Sequence, residues 1–365
     1  MMIPLLLALQ GASAPPPATH TARHYEVTLI PADTGTHLLG EAQIGWTLRS
    51  SEPVGALLDS SMRVVRVLVD GKPNTRLSRT LYGRSGQDIV VPHQKAKGDS
   101  IGTRIRYHGL VGGNGWLGDA GDARAFVAGG WSGGAHWLPL PPGPPQRVSA
   151  TFHVQSALEH RAIANGVLTG IDTLPYGHAT WHYRLDSAAP LPALSVVVGR
   201  YAVVPLGRGV EVWVPPPDSA RAAEGPFRRA AEVAAHLSAM LGPLPYPRLV
   251  HVGAPAVPQV WSGGGLALYP IGRLRQGEVD EAAVARATAR QWFDGADSIL
   301  ATELAGWLAA EWAGGQPPRE PRRLSELRSR LGEPAFRSGL RRFVASQREG
   351  RGSAADFAAV MQPGQ

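Results

Sequence analysis

From about residue 22 to residue 205, apolar and polar positions alternate and β-branched residues are frequent. His24-Tyr25-Glu26-Val27-Thr28-Leu29-Ile30 shows the alternation, as do Ala42 through Leu48 and Val64 through Val69. Side chains on a strand point to opposite faces in turn, so this period predicts strands with one buried face. Asp70-Gly71, directly after the third run, is a turn signal. The same reading predicts strands over 100–107, 148–155, 178–185 and 194–203, separated by Gly and Pro. The result is an all-β, sandwich-like N-terminal domain over 22–205. The segment 111–147, crowded with Gly, Trp and Pro, is expected to be an irregular excursion.

The period changes after about residue 215. Ser219 to Leu241 is Ala-rich with helical spacing and stops at Gly242-Pro243. Leu249 to Val252 is a short apolar strand. Val279 to Phe293 is helical, with Asp280 and Glu281 in its first turn, where the helix dipole favours anions. Ile299 to Trp312 is helical and ends at Gly314-Gly315, and two or three more helices follow. Ser353 with Asp356 three residues on has the form of a capping box. The predicted class is therefore α+β, with a mainly helical second domain over 206–365 that has a small sheet at its entrance.

Composition narrows the function classes. The 365 residues suffice for two domains with real cores. No apolar run is long enough to span a bilayer. Cysteine is absent, which excludes disulfides, thiolate metal sites and cysteine nucleophiles. The net charge of +7 is almost all arginine, and lysine occurs only at positions 72, 95 and 97. The densest basic stretch, Arg319 to Arg351, is interleaved with Glu320, Glu326, Glu333 and Glu349 and lacks aromatic residues at the spacing of a single-strand binder. It reads as a solvated helical face, and no nucleic-acid partner is expected. At the N-terminus an apolar stretch, Ile3 to Leu9, precedes Ala12-Ser13-Ala14 and resembles a secretory signal peptide over 1–14, followed by a linker over 15–21. A positive charge before the apolar stretch is missing, so an ordinary apolar N-terminus is the competing reading. Export to a periplasmic or extracellular compartment is the expectation.

Candidate chemistry is sparse. His136, His178, His182 and His251 read as packed or surface histidines. His178 and His182 share a face in a strand pattern, but four residues along a strand separate them by about 13 Å, too far for one zinc ion. A Gly-x-Ser-x-Gly elbow is absent. Gly112, Gly113 and Gly115, and Trp131-Ser132-Gly133-Gly134, read as turn chemistry. Trp116 and Trp131, in that Gly-rich region, are the aromatic residues best placed for an exposed contact surface.

One segment stands apart: Ala285-Arg286-Ala287-Thr288-Ala289-Arg290-Gln291-Trp292-Phe293-Asp294-Gly295-Ala296. It resembles a zinc-peptidase helix in which H-E-x-x-H precedes Gln-Trp-Phe-Gly, with histidines four apart holding the metal and the glutamate acting as general base. Trp137-Leu138-Pro139, Asn165-Gly166, Leu191 through Tyr201, and Leu241-Gly242-Pro243-Leu244-Pro245-Tyr246 resemble further elements of the same family in the same order. Together they resemble the aminopeptidase N (membrane alanyl aminopeptidase) family of gluzincin zinc metallopeptidases over roughly 22–361. The resemblance implies a β domain followed by a thermolysin-like peptidase domain.

The family's chemical residues do not carry over. Its histidines correspond to Arg286 and Arg290, and its general base to Ala287. Its Gly-x-Met-Glu-Asn loop, whose Glu grips the substrate amine, corresponds to Gly264-Gly265-Leu266-Ala267-Leu268. The third ligand, in Trp-Leu-Asn-Glu-Gly, corresponds to Ala310, and Glu311 comes one residue late, about 100° around the helix. No tyrosine follows Tyr269 to serve as oxyanion stabiliser, and 314–322 looks shortened where that region should be. Arginine has no lone pair to offer a metal. The resemblance thus implies an aminopeptidase N-like pseudopeptidase without zinc or catalytic residues, acting as a binding or scaffold protein for an unidentified peptide or protein partner. The former active-site positions Arg286, Arg290, Gly264, Gly265, Ala267 and Glu311 are its candidate ligand-binding residues. Two alternatives are an active metallo-aminopeptidase with atypical ligands, such as His251 or His136 brought to the site, and a hydrolase of another class using the inherited cleft. Arg286 and Arg290 are expected either to pair with Glu303, Glu311 or Asp297 and close the old pocket, or to bind an anion or carboxylate.

Overall fold

The computed structural model describes residues 20–32, 37–74, 78–82, 86–110, 116–117, 123–127, 137–255, 257–314 and 322–362, with the backbone alone at 78–82, 86, 116–117, 123–127 and 322–323. The segments expected as signal peptide (1–14) and as most of the linker (15–21) lie outside these residues. So do His136, Trp131 and its glycines, Gly112, Gly113 and Gly115, Arg319, the side chain of Trp116 and most of 314–322.

The fold is α+β. The N-terminal part is built on an eight-stranded sheet in which His20–Pro31 lies between the antiparallel strand His37–Leu48 and the parallel strand Arg147–Ala157. Beyond Arg147–Ala157 come His178–Pro190 and then Val167–Leu174 at the edge. On the other side Ser100–Leu110 and Met62–Val69 continue the sheet. Alternation does what the sequence predicts: Tyr25, Val27 and Leu29 are buried, while Glu26 faces solvent. The buried faces meet in one core around Tyr25, Trp46, Tyr107, Trp137, Phe152 and Tyr183. Trp137 is fully buried, and the Tyr25 hydroxyl donates to the carbonyl of Pro139 at 2.9 Å.

Several expected strands are longer, as Arg147–Ala157 and His178–Pro190 are, and one is divided. The run predicted over 100–107 extends over Ser100–Leu110. The run predicted over 194–203 is two strands, Ser195–Gly199 in a four-stranded sheet and Ala202–Gly207 in a five-stranded one. The excursion at 111–147 carries two short strands among its described residues, Trp116–Leu117 and Ala123–Val127, both in the four-stranded sheet.

The five-stranded sheet organises the C-terminal part. Its central strand Leu249–Ala254 is buried at every position and runs parallel to Val210–Val214 and Leu266–Pro270. A strand buried on both faces needs cover on both, which explains its continuous apolar run. One face packs on helices through Phe227, Ala234, Tyr269 and Val284. The other packs on the four-stranded sheet through Ile163, Val197, Val252 and Leu268.

The helices are α1 (Ser219–Glu224), α2 (Ala230–Leu241), α3 (Ile271–Gln276), α4 (Glu281–Arg290), α5 (Ser298–Trp312), α6 (Arg322–Leu331), α7 (Glu333–Gln347) and α8 (Ala354–Val360). The single helix expected over 219–241 is divided at Gly225-Pro226. Proline lacks the amide hydrogen a helix needs and drives the preceding residue out of helical geometry; Gly225 has φ −95° and ψ −132°. α2 stops where Gly242 takes φ +101°, which favours glycine. α4 is shorter than the predicted 279–293. Asp280 is its N-cap, accepting from the Ala283 amide, and Gln291–Phe293 continues as a 3₁₀ turn. Ser353 and Asp356 form the expected capping box of α8. Trp292, Phe293, Trp307, Phe336, Phe343 and Phe357 anchor the helical core. No helix among the described residues is long and apolar enough to cross a membrane.

Candidate functional site

The C-terminal turn of α4 lies against the hairpin formed by Trp261–Gly263 and Leu266–Pro270. Gln291 joins the two. Its Oε1 accepts from the Gly265 amide at 2.9 Å, and its Nε2 donates to the Leu266 carbonyl at 3.0 Å and to Ser262 Oγ at 2.9 Å. Ser262 Oγ donates in turn to the Ala287 carbonyl of α4 at 2.6 Å. Trp292 Nε1 donates to the Gly242 carbonyl at 3.0 Å, fixing the end of α2. Phe293 stacks near Phe343 in the helical core. The Gln-Trp-Phe segment is therefore architectural in this chain: each side chain holds a neighbouring element. Gln291→Leu keeps the volume but leaves the Gly265 amide and the Leu266 carbonyl unpaired in a buried place. It is expected to cost about 1–3 kcal/mol in urea unfolding, and a loss below about 0.5 kcal/mol would refute this role.

Asp294, the next residue, holds the β-rich part to the helical part. Arg147 Nη1 donates to Asp294 Oδ1 at 2.9 Å, while Arg147 Nη2 donates to the Ala188 carbonyl at 2.6 Å. The Tyr246 hydroxyl donates to Asp294 Oδ2, and the Gly264 amide approaches the same oxygen at 3.4 Å. Burial first, and the Asp294 charge second, push the Tyr246 hydroxyl well above its ordinary value, so it stays a donor. Burial alone would lower the Arg147 guanidinium, but Asp294 and Tyr246 outweigh it and the net shift is upward. Asn165, fully buried, completes the junction: Nδ2 donates to the Gly264 carbonyl at 2.9 Å and Oδ1 accepts from the Ser195 amide at 2.6 Å. The sequence alone assigns no role to Asp294, Arg147 or Tyr246. The available signal was an acid directly after an apolar aromatic pair, facing no solvent-seeking pattern of its own.

The candidate ligand positions are placed as follows. Arg286 is exposed and makes no hydrogen bond or ion pair with the described residues. Arg290 is half-buried, and its Nη1 reaches the Ser298 carbonyl at 3.5 Å. Burial pulls its guanidinium below the ordinary value, and Asp294 and Asp297 oppose that shift from a distance. Ala287, Ala267 and Ala310 are buried. Gly264 and Gly265 both take left-handed φ, +62° and +87°, at the hairpin turn. A Cβ on Gly264 would meet Asn165 Nδ2 at 2.4 Å, so this turn is packed shut against the junction.

The expected ion pairs from Arg286 or Arg290 to Glu303 or Glu311 do not form. Glu303 is exposed. Glu311 is taken by Arg328 of α6 at 3.2 Å, and that guanidinium also lies 5.5 Å over the Trp307 ring. The physical reason is the turn of the helix that moves Glu311 off the Ala310 position and towards α6. Asp297 is the N-cap of α5, accepting from the Ile299 amide at 2.9 Å, and acts on Arg290 only through its field.

This donor set does not fit a zinc ion. Two guanidinium groups and three buried alanines supply no lone pair where the resemblance places ligands and base. His251, offered as a substitute ligand, is fully buried in the five-stranded sheet, hydrogen-bonded through Nδ1 to the Tyr269 hydroxyl at 2.8 Å. Among the described residues no three His, Asp or Glu side chains converge as a metal site. A groove of about 600 Å³, lined by Leu168, Ile171, Trp181, Trp213 and Arg248 among others, has no lining residue on α4.

No family model matches the chain, and no curated protein matches it. Solved structures do. The M1 zinc metallopeptidase from Deinococcus radiodurans matches with a TM-score of 0.74 at 21% identity, covering 94% of this chain and 90% of that one. A glutamate-to-alanine mutant of the Deinococcus radiodurans enzyme, bound to a Tyr-Ser-Ala substrate, matches with a TM-score of 0.75 at 20% identity over the same shares. A two-domain M1 zinc metallopeptidase mutant bound to L-tryptophan matches with a TM-score of 0.74 at 22% identity, covering 95% of this chain and 92% of that one. From the first strand to the last helix, the chain has the fold of these M1 zinc metallopeptidases.

Proposed function

We propose that this chain is a non-catalytic protein on an aminopeptidase N-like scaffold, exported from the cytoplasm, that binds a peptide or protein partner through the former active-site region. The observation that carries the reading is a division of labour between the residues just after α4 and the positions on α4 and its neighbouring elements. Gln291, Trp292 and Asp294 each keep protein partners that hold the scaffold together. The positions that would perform hydrolysis carry Arg286, Ala287, Arg290, Ala267 and Ala310 instead. Arginine favours carboxylates and phosphates, and neither Arg286 nor Arg290 forms an ion pair with the described residues. The ligand class we favour is therefore an anionic group, such as a carboxylate, on the partner.

One preparation of the full chain tests this. Purified protein is assayed on an aminoacyl-anilide with and without a chelator, with zinc added back, and its N-terminus is sequenced. No hydrolysis above a heat-inactivated control, on material beginning near Pro15, is the expected result. Hydrolysis that a chelator removes and zinc restores would overturn the non-catalytic reading. An intact Met1 on functional protein would overturn export.

A further inference from the structure

The solvent face of the eight-stranded sheet brings together four titratable side chains from four neighbouring strands. His153 of Arg147–Ala157 and His182 of His178–Pro190 are directly opposite in register. Their Nδ1 atoms are 2.6 Å apart and their rings lie edge to face with centroids 4.9 Å apart. On the far side of each ring stands a carboxylate. His182 Nε2 is 2.9 Å from Asp172 of Val167–Leu174, and His153 Nε2 is 3.5 Å from Glu26 of His20–Pro31.

The hydrogen positions follow from chemistry. Asp172 accepts from His182 Nε2, which therefore carries the hydrogen of that ring. Glu26 is an ion-pair neighbour of His153 Nε2 rather than its hydrogen-bond acceptor. His182 Nδ1 then presents its lone pair to His153 Nδ1 at 2.6 Å, and either a proton on His153 Nδ1 or a metal ion in its place joins the two rings. The surroundings also match what metal-ligating histidines require: the non-ligating nitrogen donates to a carboxylate, which fixes the tautomer and raises the basicity of the other nitrogen. His182 has that arrangement with Asp172, and Glu26 stands 3.5 Å behind His153 on the other side of the gap.

We propose that His153 Nδ1 and His182 Nδ1 form a two-imidazole site for a divalent transition-metal ion, oriented by Glu26 and Asp172. Two cis imidazoles at about 2.0 Å stand roughly 2.8 Å apart on a square-planar ion and roughly 3.3 Å apart on a tetrahedral one, so the rings need to part by under about 1 Å. Both side chains are partly open, 28% and 24% exposed, which allows the movement and leaves positions for water. No third protein donor joins them among the described residues, so the site is an open one, and nitrogen donors place Cu²⁺ ahead of Zn²⁺. His24, on the first strand, is engaged by Ser149 at 2.8 Å and Thr151 at 3.4 Å. None of the four residues lies on α4 or its hairpin, so metal binding here and peptide hydrolysis are separate readouts.

The test is calorimetric titration of the full chain with Cu²⁺ and with Zn²⁺, on the parent and on His153→Gln, His182→Gln and Asp172→Asn. One Cu²⁺ per chain is expected to be lost with either histidine variant, Zn²⁺ to bind more weakly, and Asp172→Asn to weaken Cu²⁺ by about tenfold. The electron paramagnetic resonance spectrum of copper on the unmodified chain should show coupling to two nitrogens, a result that does not depend on any variant folding. Unchanged copper affinity in both histidine variants, or coupling to fewer than two nitrogens, would show that the pair shares a proton instead.

Discussion

Asp294→Ala is expected to lower the unfolding free energy by about 3–5 kcal/mol. The Asp294 side chain is 8% exposed and that of Arg147 is 21% exposed, so the variant leaves a largely buried guanidinium without its carboxylate. It also strips the Tyr246 hydroxyl and the Gly264 amide of their acceptor. Breaking one side of such a pair costs more than the pair contributes, because the abandoned charge keeps its desolvation penalty. Asp294→Asn retains one acceptor oxygen and should fall between parent and alanine variant. Asp186→Ala is the control: its pair with Arg184 is exposed on both sides, and its loss should stay within about 0.5 kcal/mol. Denaturant midpoints for the three variants decide the matter. If Asp294→Ala and Asp186→Ala cost the same, the junction does not hold the two parts together.

Acid should destabilise the fold through His251. Burial pulls its imidazole from the ordinary 6.5 down to about 3. The folded state therefore keeps it neutral across the range in which the unfolded chain takes up a proton. The unfolded state binds more protons, so stability rises with pH, and it is lost as pH falls from about 6.5 towards about 3. The slope in that window is about 1.4 kcal/mol per pH unit. Between pH 7 and pH 4.5 the parent should lose roughly 2–3 kcal/mol more than His251→Gln, which cannot titrate. Titrating carboxylates act on both proteins and cancel in the difference. Parallel stability curves for the two proteins would show that His251 is protonated within the fold, or that the fold opens locally to admit the proton.

Local pattern was legible and distant pairing was not. Tyr25, Val27 and Leu29 announce a buried strand face by their spacing, and Ser353 with Asp356 announces a helix start, because both signals act within a few residues. The break in the helix after Glu224 was equally local, written in Gly225-Pro226, and the Ala-rich run around it hid the signal. The junction was out of reach for another reason. Arg147 and Asp294 are 147 positions apart, and nothing in either neighbourhood names the other. The histidine pair shows the same limit. Along the sequence His182 has His178 as its strand neighbour, whereas its partner His153 becomes visible only once the register between two strands is known. The resemblance points to the arginine and alanine positions, but the partner of Glu311 depends on where α6 packs.

The placement of the first strand has a consequence for how the chain is made. Val27 pairs on one side with Ala42 and on the other with Phe152. During synthesis the first partner follows within a short hairpin, while the second emerges only after most of the N-terminal part has been translated. Over that interval one edge of His20–Pro31 presents its amides and carbonyls with no strand to receive them. The closing contact is parallel and distant in sequence, the slow kind. A nascent chain of this protein thus passes through a stage in which His20–Pro31 has an open edge, and the ribosome must deliver residue 157 before that edge is sheathed.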